Sequence, residues 1–98
     1  MTAFVQIVEL STSRVDEMQA FNEEWRAKNP DRLFDWSVVA GDRDNAGKYV
    51  AIVHFPSYEV AMQNSEDPRT AEYAAKMQEL SDSPPTFRNF DVVMTEGM

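Results

Sequence analysis

Residues 3–10 (AFVQIVEL) form a mostly apolar run, broken only by Gln6 and Glu9 and rich in β-branched and aromatic side chains, that predicts a strand. A helical period follows. Val15, Met18, Phe21 or Asn22, and Trp25 recur every three or four residues, with Glu17, Glu23, Glu24, Arg26 and Lys28 between them, as on a helix with one apolar stripe. Ser13 and Asp16 have the spacing of a capping box, and Asn29-Pro30 stops the helix because proline disfavours helical geometry in the residue before it. Strand-like runs return at residues 33–40 (LFDWSVVA) and 48–55 (KYVAIVHF). The polar connection 41–47, with glycine at both ends, suits a hairpin. Pro56-Ser57 ends the third strand and caps a helix over residues 58–63, which Asn64-Ser65-Glu66-Asp67 interrupts. Asp67-Pro68 restarts it, with aspartate as N-cap and proline in the first turn, where a missing N–H costs nothing. Thr70, Tyr73, Ala74, Met77 and Leu80 mark the buried stripe of this second segment. Residues 81–85 (SDSPP) break the helix, and residues 86–95 (TFRNFDVVMT) read as a last strand.

The order β-α-β-β-α-β is the ferredoxin-like α+β arrangement, a four-stranded antiparallel sheet with both helices on one face. Such a sheet should be apolar on one side only. These strands are apolar on both. Phe4, Val8 and Leu10 alternate with Val5 and Ile7; Tyr49, Ala51, Val53 and Phe55 with Val50 and Ile52; Phe90, Val92 and Met94 with Phe87 and Val93. Roughly six large apolar side chains stay in water if the helices cover one face, at about 1.5–3 kcal/mol each. Their sum, on the order of 10 kcal/mol, rivals the net stability of a domain. The expectation is an obligate homodimer, packed sheet against sheet.

Composition then bounds the partners. The 98 residues fit one domain (1–98) with 43% hydrophobic and 27% charged residues, and there is no cysteine for a disulfide, a thiolate metal site or a nucleophile. Nine basic against seventeen acidic residues give a net charge of −8. An acidic chain without a basic run is a poor binder of nucleic acid or of anionic membranes. An RNA-binding module of the same topology is disfavoured further, because the aromatic strand motif it uses is missing. No apolar stretch reaches the ~18 residues of a membrane span, and nothing near Met1 marks the chain for export, so the expected location is the cytoplasm.

The chemistry-bearing residues are few. His54, the one histidine, lies near the end of the third strand in phase with Val50 and Ile52. It is the candidate general base, against the alternative of a packed, hydrogen-bonded histidine. Trp25, Trp36, Tyr58 and Tyr73 are candidates to line an apolar cleft between helices and sheet, and each has a plain core role as its alternative. Asn64, Asn89 and Gln6 are the candidate polar contacts, though Asn64 equally suits a helix end. Residues 42–47 have the outline of a calcium loop but lack the required acid at the twelfth position, where Val53 stands. No metal site, phosphate loop or serine-nucleophile signature appears.

Element order, length, the segment 55–68 (FPSYEVAMQNSEDP) and the stretch 84–92 (PPTFRNFDV) together resemble the dimeric α+β barrel superfamily, and within it the small antibiotic-biosynthesis-monooxygenase-like proteins. The resemblance implies a homodimer that takes a small aromatic or polyketide-like ligand, and it admits a monooxygenase that needs no metal or flavin. His54 would then be the base, Trp25, Trp36, Tyr58 and Tyr73 the ligand's walls, and Asn64 or Asn89 its hydrogen-bonding anchors. A non-enzymatic ligand-binding or stress-related dimer fits the same resemblance. The Asn–Trp–His set of haem-degrading relatives does not carry over, since their histidine is helical and His54 lies in a strand.

Overall fold

The mostly apolar run at the start of the chain becomes β1 (Phe4–Ser11), a central strand of a four-stranded antiparallel sheet, in a computed structural model that describes residues 2–97. It is followed by α1 (Val15–Lys28), β2 (Trp36–Gly41), β3 (Lys48–Phe55), α2 (Tyr58–Glu66), α3 (Pro68–Glu79) and β4 (Thr86–Asp91). The strand order is β2-β3-β1-β4, so each helical connection joins strands that have one other strand between them. This is the ferredoxin-like α+β fold.

Register assigns every strand residue to a face. Phe4 pairs with Phe55, and both pack against Ala61 of α2, with Val53, Val60 and Phe34 around them. Residues in phase with Phe4 and Phe55 therefore face the helices, and their neighbours face away. The outer face carries three cross-strand rows: Trp36, His54, Val5 and Phe90; Val38, Ile52, Ile7 and Arg88; Ala40, Val50, Glu9 and Thr86. Most of these side chains are apolar, and no helix lies over them.

The interior of a single chain is correspondingly thin. Among the described residues only Phe4, Met18, Phe55, Ala61 and Leu80 are buried apolar side chains. The accessible surface is 6906 Å², whereas a compact monomer of this mass exposes about 5,700 Å². The Cα radius of gyration, 13.7 Å, likewise exceeds the roughly 12.5 Å of a compact domain of this length.

Several local expectations are corrected. The Ser13–Asp16 capping box does not form: the Ser13 hydroxyl donates to Asp82, and Arg14, which has no side-chain cap, occupies the N-cap. Thr12 supplies the hydrogen bond instead, accepting the Arg14 N–H at 2.9 Å. The second strand starts at Trp36 and not at Leu33, because Phe34 turns into the core cluster. The α2–α3 break narrows to Asp67, whose side chain accepts the Arg69 N–H as an N-cap should, while Ser57 caps α2 through Val60. Ala74, expected on the buried stripe, is exposed. The last strand stops at Asp91; Val93 and Met94 lie beyond the ladder, 93% and 76% exposed.

Thr12 ties the end of β1 to the end of α3. It is 2% exposed, and its Oγ1 donates to the Leu80 carbonyl at 2.6 Å while accepting from Arg14. Thr12→Val keeps the shape and strands both partners. The expected loss is about 2–3 kcal/mol, from about 1–3 kcal/mol per buried group left unpaired, read as a lower urea midpoint at unchanged slope.

Candidate functional site

His54 sits at one corner of the outer face. It is the last residue but one of β3, and the β2–β3 register places Trp36, the first residue of edge strand β2, directly opposite. The two rings stack, with centroids 5.1 Å apart and planes 14° apart. Asp35, one residue before β2, extends the ladder by donating its N–H to the His54 carbonyl at 2.8 Å. Its carboxylate lies 2.9 Å from His54 Nδ1. The imidazole side chain is 15% exposed. Its Nε2 has no hydrogen-bond partner among the described residues.

The loop carrying Asp35 is fastened at both ends. Arg69 bridges Asp31 at 3.0 Å and Asp67 at 2.8 Å, and its hydrogen bonds hold both carboxyls below the ordinary carboxylate range. Phe34 packs on the core cluster with the guanidinium groups of Arg26 and Arg32 at 4.7 and 5.4 Å from its ring centroid.

The remaining candidates occupy the helical side. Trp25 and Tyr73 meet Phe21 between α1 and α3, at centroid distances of 5.7 Å for Trp25–Phe21, 5.6 Å for Tyr73–Phe21 and 5.8 Å for Trp25–Tyr73. The Tyr73 hydroxyl donates to Asn22 Oδ1 at 2.7 Å. Burial pushes the Tyr73 phenol above its ordinary value, against the opposing pull of Arg26. Asn64 accepts from the Thr70 hydroxyl at 3.5 Å, and Gln6 donates to Asn89 at 3.3 Å. Tyr58 lies edge-on to Phe4 and is 50% exposed, at a cleft of about 450 Å³ bordered by Asp91 and Val93. A second cleft, of about 510 Å³, opens at the opposite end of the sheet beside Leu10, Tyr49 and Pro84.

One aromatic cleft gathering all of these residues does not form within the chain. The sheet separates His54 and Trp36 from Trp25, Tyr58, Tyr73, Asn64 and Asn89. The reason is the two-residue period of β2: Trp36 shares its phase with Val38, on the outer face, and Ser37 and Val39 point to the helices. Sequence reasoning missed Asp35. The register carries the signal only once it is known: Gly41 pairs with Tyr49, which puts residue 36 opposite residue 54, whereas a loop closed at 41–47 would have set it opposite residue 52. Among the described residues no three potential ligands converge on a metal position, and no helix is long and apolar enough to cross a membrane.

No protein-family model matches the sequence, and no curated protein matches it. Solved structures do. SnoaB, a cofactor-independent oxygenase from Streptomyces nogalater, is 14% identical with a TM-score of 0.75 over 97% of each chain. An antibiotic biosynthesis monooxygenase superposes at a TM-score of 0.71 and 14% identity, covering 93% of this chain and 99% of that one. A conserved protein from Methanosarcina mazei reaches 0.77 at 11% identity over 92% of each. The resemblance to small antibiotic-biosynthesis-monooxygenase-like proteins therefore holds at the level of fold.

Proposed function

We propose that this chain is a homodimeric, cofactor-independent monooxygenase for aromatic, polyketide-like substrates, with His54 as its general base and Trp36 as the wall on which the substrate stacks. The observation that carries this reading is the unpartnered Nε2 of His54 beside a flat indole that is 38% exposed. On the other side of the sheet Gln6 is bonded to Asn89, Asn64 to Thr70 and Tyr73 to Asn22. Fold likeness to an oxygenase of that type supports the reaction class, and the apolar rows of the outer face support the dimer. A second copy laid on that face covers its centre, around Ile7, Ile52 and Val38, and leaves the His54 corner at the rim.

The chemistry follows from the base. Nε2 takes a proton from an acidic CH₂ of the substrate, and the ring system delocalises the carbanion. The carbanion passes its electrons to O₂, a hydroperoxide forms on that carbon, and loss of water turns the CH₂ into a carbonyl. One oxygen atom ends in the product and one in water. The apolar wall keeps solvent off the anion.

An oxygen electrode and a thermal-shift assay test this together, with anthrone and larger aromatic polyketides as probes. The expected result is protein-dependent uptake of one O₂ per ketone formed, and a raised unfolding temperature, since ligand at a hundred times its Kd stabilises by about 2.7 kcal/mol. Thermal shifts without oxygen uptake would leave a ligand-binding dimer; neither signal would end the proposal.

A further inference from the structure

We infer that Asp35 is the positioning residue of this site: it holds the His54 imidazole in the tautomer that leaves the Nε2 lone pair free. The inference rests on the reading of His54 as the base. A neutral imidazole has one N–H and one lone pair, and the hydrogen bond made by one nitrogen decides the state of the other. In water a free imidazole prefers its proton on Nε2, which would leave nothing there to accept a substrate proton. The carboxylate 2.9 Å from Nδ1 reverses that preference, because it accepts a hydrogen bond only if Nδ1 carries the proton.

Two features separate this contact from an incidental surface pair. Asp35 and His54 are joined twice, by side chain and by the 2.8 Å bond from the Asp35 N–H to the His54 carbonyl, so the carboxylate is delivered by the ladder itself. The imidazole plane is fixed independently by the Trp36 stack, 14° from parallel. The stack is indifferent to which nitrogen points at β2; the carboxylate is not. The residues on either side of Asp35 are immobilised as well, Phe34 in the core cluster and Trp36 in the strand. A group that orients a base works only if its own position is set in advance.

His54 is the only histidine in the chain, which makes the test direct. Long-range ¹H–¹⁵N correlation spectra of the uniformly labelled protein, at a pH high enough to keep the imidazole neutral, show one set of ring nitrogens. In the unaltered protein Nδ1 is expected to be protonated and Nε2 bare. In Asp35→Ala the assignment inverts. Oxidation of anthrone then falls on the order of ten- to a hundredfold in kcat with KM held within about twofold, the size of effect seen when a group orienting a functional histidine is lost. The unfolding temperature moves by no more than a few degrees, since the carboxylate is half exposed. An unchanged tautomer in Asp35→Ala overturns the inference and leaves the oxygenase reading standing. An inverted tautomer with undiminished kcat overturns it too, provided His54→Ala is inactive. If His54→Ala is itself fully active, the base assignment fails, and Asp35 has no reaction to serve.

Discussion

Ile52→Glu turns the proposed dimer into a monomer. Ile52 lies between Val38 and Ile7 in the middle row of the outer face, with Val50 and His54 before and after it on the same side of β3. A second sheet laid there removes the position from water, and a carboxylate without a partner in such a place costs several kcal/mol. The single two-fold interface carries the substituted residue twice, which doubles the penalty. Dissociation should strengthen by a thousandfold or more, enough to give the mass of one chain, 11.2 kDa, by light scattering at micromolar concentration. Val39→Glu is the matched control. Val39 follows Val38 on edge strand β2 and is the more exposed of the two, but its side chain points to the helical side, so its variant should keep the mass of two chains. A monomeric Val39→Glu beside a dimeric Ile52→Glu would place the interface on the other side of the sheet, and an unaltered protein that is monomeric would remove the dimer altogether.

The same reversal of faces explains what was legible in the sequence and what was not. β3 is read to the residue, because Gly47 before it and Pro56 after it punctuate an uninterrupted apolar run. Asp67-Pro68 likewise fixes the start of α3, since both cap and proline act within one turn. Ser13–Asp16 had equally good spacing and failed. A competing long-range partner, Asp82, takes the Ser13 hydroxyl, and no local pattern contains that information. The end of β4 failed for a related reason. Val93 has strand propensity, yet a strand continues only where a neighbour pairs with it; the β1–β4 ladder closes with Phe4 opposite Asp91, and one further bond, from the Val92 N–H to the Ala3 carbonyl, ends the pairing.

The site was legible as a set of residues but not as an arrangement. Period two showed that His54 shares a face with Val50 and Ile52, and it could not show that the helices take the opposite one. That choice follows from Phe4, Phe55 and Ala61 closing into a cluster, which is a tertiary event. Trp25 and Tyr73 were each expected on an apolar helical stripe, and they do meet, across α1 and α3, with the Tyr73 hydroxyl satisfied by Asn22. The Tyr73 hydroxyl is thereby engaged with Asn22 and not aimed at a ligand. His54 differs because its one internal partner leaves its other nitrogen open.

His54→Ala removes turnover while leaving the molecule folded and dimeric. General base catalysis contributes about 10²- to 10⁴-fold; the rest of the row is Trp36, Val5 and Phe90, which offer no base, and the one carboxylate nearby, that of Asp35, is engaged with Nδ1. The fall should therefore appear in kcat, with KM nearly unmoved, because the indole wall remains. Loss of the stacked ring pair costs stability as well, about 0.5–1.5 kcal/mol, which lowers the unfolding temperature without unfolding the protein. His54→Gln separates the two effects. Glutamine retains a polar planar group beside Trp36 but cannot take a proton, so it should be as inactive as alanine and more stable. Trp36→Leu should do the reverse, raising KM for flat substrates several-fold at little change in kcat. Oxygen uptake by His54→Gln at the unaltered rate would show that the proton goes elsewhere, and the helical side, with Tyr73 and Asn64, would then have to hold the reaction.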